Sequence, residues 1–130
     1  VSRRKAKSGR ISVFKGREAR LNKAIFHVLA LKGSQTIYEI CKEIKIQKGL
    51  KQTKYTNVNR RIRILEQSAY LEKTGTRKTQ AGFQATIYQL TARAYLAILL
   101  NKMNLDNFIQ TAKEENIVAT LAALISHMTT

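Results

Sequence analysis

The chain contains no proline and no tryptophan, a single cysteine, two histidines and only 8 acidic residues among 130. Each shortage removes a class of explanation. Cys41 has no second cysteine to pair with, which excludes an internal disulfide and suits a reducing cytoplasm. Set between Ile40 and Ile44, it reads as a small buried core residue rather than a nucleophile. No apolar run approaches the roughly 18 residues that a membrane span needs. The longest such stretch near the end, IVATLAALI at 117–125, is too short. A signal peptide is not expected, because the basic start is followed by SGRISVFKGREARLN and not by an apolar stretch. His27 and His127 lie far apart within helical patterns, and Glu114 and Glu115 are adjacent, so they would not share one helical face. There is no CxxC pair, no HExxH and no phosphate-binding glycine loop. No catalytic site, metal or cofactor is expected, and the chain does not read as an enzyme.

What is abundant is positive charge. Lys and Arg number 24, giving a formal net charge of +16 at pH 7. Residues 1–95 hold 22 of these cations and 5 of the acids; residues 96–130 hold only Lys102 and Lys113 against Asp106, Glu114 and Glu115. A surface needed only for solubility would mix the signs. A large field of one sign over most of the chain implies a polyanionic partner. Nucleic acid fits better than an anionic membrane, since no basic amphipathic helix with a Trp- or Phe-rich face is present.

The hydrophobic spacing supplies an order of elements. Residues 1–17 carry seven cations and no acid, so like-charge repulsion should keep at least the first nine residues disordered in isolation, with ISVF at 11–14 apolar enough to dock on the domain. From Glu18, the stripe Leu21, Ala24, Ile25, Val28, Leu29 and Leu31 predicts a first helix ended by Gly33. Thr36 and Glu39 have capping-box spacing ahead of a second helix over 37–44. A basic loop, KIQKGLKQTK, leads to a third helix over 54–69, with Thr53 or a neighbour as its cap. Tyr55, Val58, Ile62, Leu65 and Ala69 form its inner face. YLEKTGTR and FQATIYQL then predict a hairpin with its tip near Lys78–Gly82. Thr91 should cap a fourth helix packed through Ala94, Tyr95, Ala97, Ile98 and Leu99. A further helix is expected from Asn104 or Asp106 to Glu115. A last one, from Asn116 to His127, would carry Ile117, Leu121, Leu124, Ile125 and Met128. No repeat or low-complexity segment appears.

Three helices followed by a hairpin, together with YTNVNRRIRILEQSAYL and ATIYQLTARAYLAIL, resemble small prokaryotic winged helix-turn-helix regulators of the PadR-like or related archaeal type. The resemblance covers residues 18–100. Two glycines usual in that family's motifs are replaced here by Ala69 and Ala94, and the loop before the third helix is longer than in the tightest members. It implies a mainly α fold with a small β-hairpin: a basic N-terminal arm at 1–17, a winged-helix domain at 18–95, and C-terminal helices at 96–130 for packing or dimerisation.

The same resemblance places the third helix in a DNA major groove. Lys54, Thr56, Asn57, Arg60 and Arg61 then face the groove, and Arg63 lies further round toward phosphate. Lys48, Lys51 and Thr53 suit backbone contacts. Arg77 and Lys78 near the wing tip, and Arg3, Arg4 and Lys5 in the arm, would reach a minor groove or its phosphates. The expected partner is double-stranded DNA, bound by a homodimer joined through its C-terminal helices and located with the nucleoid in the cytoplasm. The rival readings are non-specific, chromatin-like DNA binding, an RNA- or ribosome-associated winged helix, and a protein-interaction module working through the C-terminal helices.

Overall fold

The computed structural model describes residues 11–102 and 105–128. A 3-10 turn over Ser12–Phe14 leads to helix α1 (Ala19–Lys32), a short strand β1 (Gln35–Thr36), α2 (Ile37–Ile46) and α3 (Tyr55–Gln67). Strands β2 (Leu71–Lys78) and β3 (Gln84–Leu90) follow, then α4 (Ala92–Lys102), α5 (Leu105–Thr111) and α6 (Glu114–Met128). The strands form one antiparallel sheet in the order β1–β3–β2. This is a winged helix-turn-helix, mainly α, with β2 and β3 as the wing and additional C-terminal helices. Among the described residues, no helix is long and apolar enough to cross a membrane.

One core joins the three helices to the wing. Ile25, Phe26 and Leu29 of α1 meet Ile40 and Ile44 of α2 and Val58, Ile62 and Leu65 of α3; Leu71, Tyr88 and Leu90 close the base of the wing. Each such apolar side chain contributes about 1.5–3 kcal/mol by leaving water. Val13 and Phe14 belong to the same core, so the ISVF segment does dock. The Phe14 ring meets Phe26 edge-on at 5.2 Å, and the buried Asn22 amide donates to the Val13 carbonyl at 2.7 Å. Cys41 is buried as a free thiol.

Thr36 links helices to sheet. Its backbone pairs with Ile87 in β3, and its hydroxyl accepts the Glu39 N–H at 3.1 Å to start α2. The Glu39 carboxylate returns the bond to the Thr36 N–H at 2.9 Å, completing the capping box that the spacing predicts. Strand β1 was not expected. Two residues are too few for an alternating pattern, and only pairing to β3 creates it.

Several packing expectations are corrected. Leu31 is 70% exposed, and Tyr55 is 45% exposed at the first turn of α3. In α4 only Ala94 and Ala97 are fully buried; Tyr95 and Leu99 are exposed and Ile98 is partly covered. The last two helices divide at Thr111 and Glu114 rather than at Glu115 and Asn116, because Glu114 and Glu115 lie in the first turn of α6, where acids suit the helix dipole. Leu121, Leu124 and Ile125 are exposed along α6. The cap of α3 is Lys54, the neighbour of Thr53, and it makes no side-chain cap bond.

The end of α3 retains a left-handed turn despite lacking glycine. Ala69 has φ 67°, its N–H bonds the Glu66 carbonyl, and the Tyr70 N–H bonds the Leu65 carbonyl, a Schellman arrangement. The Thr91 hydroxyl donates to the Ala69 carbonyl at 2.7 Å and accepts the Ala94 N–H at 3.3 Å, tying this turn to the start of α4. Within the wing, the register passes from Lys73 opposite Tyr88 to Gly75 opposite Ile87, leaving Thr74 as an extra bulged residue. Left-handed geometry disfavours alanine by about 1 kcal/mol relative to glycine. Ala69→Gly is therefore expected to stabilise the fold by up to about 1 kcal/mol, measured by chemical denaturation.

Candidate nucleic-acid interface

Helix α3 has a sharply divided surface. Val58, Ile62 and Leu65, at i, i+4 and i+7, are fully buried against the core. Thr56, Asn57, Arg60 and Arg63 are exposed on the opposite side and its flank. The Arg60 guanidinium reaches back to the Asn57 side-chain Oδ1 at 3.4 Å, and Arg63 Nε donates to the Asn59 Oδ1 at 2.9 Å. Among the described residues, neither arginine has a carboxylate within ion-pair range. Both guanidiniums keep further donors for an anion.

Arg61 is placed differently. Its side chain is only 16% exposed and turns toward Glu18 just before α1, at 3.7 Å. It therefore sits in the α1–α3 seam and not beside Arg60 on the open face.

The cationic loop after α2 runs directly into the start of α3. Lys48, Lys51 and Lys54 are exposed, while Thr53 is half-buried and its N–H bonds the Leu50 carbonyl. Gly49 has φ 82°, and the guanidinium of Arg20 from α1 lies where any side chain at this position would stand. Arg20 is a cation beside the loop that the sequence did not single out. Its neighbour there is 29 positions away in the chain, so no local pattern reports it.

The wing supplies the other margin. Its tip, 79–83, is closed by Thr79 N–H to the Phe83 carbonyl at 2.7 Å and Phe83 N–H to the Thr79 hydroxyl at 3.1 Å. Lys78 is exposed at the end of β2. Arg77, beside Lys78 near the tip, does not stand free: it pairs with Ala85 in the sheet and reaches Glu39 of α2. Its Nη1 donates to both carboxylate oxygens at 2.5 and 2.6 Å, and its Nη2 donates to the Ser34 carbonyl at 3.1 Å. Partial burial by itself would raise the Glu39 pKa. The Thr36 N–H, the hydrogen bond and charge of Arg77, and the Thr36 side chain together outweigh that and hold the carboxyl below its ordinary 4.5.

Between wing, α2 and α3 lies an open groove of about 710 Å³, lined by Lys42, Tyr55, Arg63, Arg77, Lys78 and Tyr88 together with Glu39. Burial pushes the Tyr88 phenol up, with Glu66 adding to the effect, so Tyr88 remains a neutral hydroxyl at this surface. Lys42 and Tyr55 joined this wall only on folding; in the sequence one reads as an ordinary surface lysine and the other as core. Arg3, Arg4 and Lys5 lie outside the described residues. Among the described residues, no group of His, Cys, Asp or Glu is arranged to hold a metal ion.

No protein-family model matches the chain, and no curated protein is found to be similar to it. Among solved structures, it resembles diamide-treated YodB from B. subtilis, with 20% identity, a TM-score of 0.53, and coverage of 78% of this chain and 88% of that one. A looser likeness, with 15% identity and a TM-score of 0.48, is to the candidate transcriptional regulator TA0346 from Thermoplasma acidophilum, over 75% of this chain and 100% of that one. The YodB likeness is one of fold.

The Glu39 geometry has a pH signature. Its native pKa lies below the unfolded value, so its contribution to stability is complete above the ordinary 4.5 and is lost as pH falls through the lower native value. Wild type is expected to melt higher than Glu39→Gln near neutral pH, and the gap should close in acid. Thermal melts of both proteins across this range check it.

Proposed function

We propose that the chain is a double-stranded DNA-binding transcriptional regulator whose α3 enters the major groove. The observation that carries this reading is the open face of α3. Thr56, Asn57 and Arg60 stand exposed together near the helix start, where helix-turn-helix proteins meet base edges. Asn57 has the shape to pair with adenine and Arg60 with guanine. Lys48, Lys51 and Lys54 then lie along one phosphate strand, with Lys78 and the Arg3–Lys5 arm on another strand or in the minor groove. Arg61, held by Glu18, orients α3 instead of reading a base. The motifs of α3 and of the β3–α4 junction support a regulator of the PadR-like or related archaeal type, working at the nucleoid in the cytoplasm.

The C-terminal helices supply a second contact. Tyr95, Leu96 and Leu99 of α4 and Val118, Leu121, Leu124 and Ile125 of α6 are all exposed. Residues 96–130 hold 2 cations against 3 acids, so a second copy approaching here escapes the repulsion imposed by the rest of the surface. A homodimer through these helices would present two copies of α3 to half-sites about one DNA turn apart.

Selection from random duplex DNA in the presence of structured RNA competitor tests the reading; an enriched palindrome supports it, and preferential retention on RNA sinks it. On the selected site, Arg60→Ala should weaken binding by about 1–3 kcal/mol and weaken random duplex much less. Lys51→Ala should weaken both alike. Equal losses for both variants on all sequences would reduce the protein to a non-specific, chromatin-like binder. Leu124→Asp should shift sedimentation from dimer to monomer.

A further inference from the structure

We propose that the Glu39 carboxylate stands in for a DNA phosphate in the free protein, occupying Arg77 until a phosphodiester strand enters the groove beside the wing. This rests on the DNA-binding reading above and adds a site and a mechanism to it.

Three observations carry it. Arg77 Nη1 meets both oxygens of Glu39, at 2.5 and 2.6 Å, while Nη2 holds the Ser34 carbonyl, and a phosphate can present a pair of charged oxygens to the same Nη1. Glu39 is the one acid among the residues lining this groove, where Lys42, Arg63 and Lys78 supply the remaining charge. Glu39 also has a second set of partners: it accepts the Thr36 N–H at 2.9 Å and belongs to the α2 capping box. Surrendering Arg77 therefore does not strand the carboxylate without a hydrogen bond.

The Arg77–Glu39 pair is partly open to solvent, and exposed ion pairs hold weakly. A polyanion that brings several phosphates at once can displace one carboxylate. The exchange has a thermodynamic consequence. The phosphate that Arg77 neutralises releases a counterion, whereas the freed Glu39 must take up a cation or a proton. Glu39 thereby holds down sequence-independent affinity.

Glu39→Gln separates this role from folding, because glutamine can still accept the Thr36 N–H and preserve the capping box. The variant should bind a short duplex of unrelated sequence about 3–10-fold tighter than wild type, and its log affinity should fall about 0.9 more steeply with log salt. Adding Arg77→Gln should erase the gain. Unchanged or weaker binding by Glu39→Gln, with an unaltered circular dichroism spectrum, would leave Glu39 as a wing anchor alone and overturn the exchange. A gain that survives Arg77→Gln would also overturn it, as a general charge effect. Failure of the wild-type protein to bind any duplex would instead remove the DNA reading itself, before any variant is compared.

Discussion

The burial of Val58, Ile62 and Leu65 sets the rotation of α3 about its own axis, and the rest of the cationic surface depends on that rotation. Turning the helix by one residue would bring guanidinium groups toward the core and isoleucine toward water. Removing an unpaired charge from water costs several kcal/mol, well above the gain from any single surface contact. The outward display of Thr56, Asn57, Arg60 and Arg63 thus follows from what the helix hides. Arg61, one position from the buried Ile62, lies at the boundary and finds Glu18 there.

A second constraint ties this helix to the wing. Thr36 ends β1 and begins α2, so its hydrogen bonds couple a sheet edge to a helix cap. The end of α3 is joined to the start of α4 by the Thr91 hydroxyl. These links use short polar side chains, which lose little rotamer freedom on ordering. The wing base is thereby positioned against the helices by directional bonds as well as by apolar packing.

Much of this was legible in the chain before folding. The periods of α1 to α3, the capping box, the hairpin and the Thr91 cap are local, and local spacing reports them directly. Spacing identifies a face only to about the width of one residue, which is why Leu31, Tyr55, Tyr95 and Leu99 were assigned inward and emerged exposed. Long-range pairs leave no mark on spacing at all. Arg77 and Glu39 are 38 positions apart, and Arg61 and Glu18 come from opposite ends of the three-helix unit. Two of the arginines expected to face DNA acquired carboxylate partners in this way.

The bulge at Thr74 acts as a parity switch for the outer wing. Directly opposed residues share a face of the sheet, and the inserted residue swaps faces for everything beyond it. Leu71 is opposite Leu90 and buried at the base, whereas Arg77 is opposite Ala85 and so points to the other face. Without the extra residue, Arg77 would stand opposite Gln84 and share the side of Leu71. One residue of strand length thus sets the aim of the wing's arginine without disturbing the hydrophobic base, so the two halves of a single hairpin can change independently.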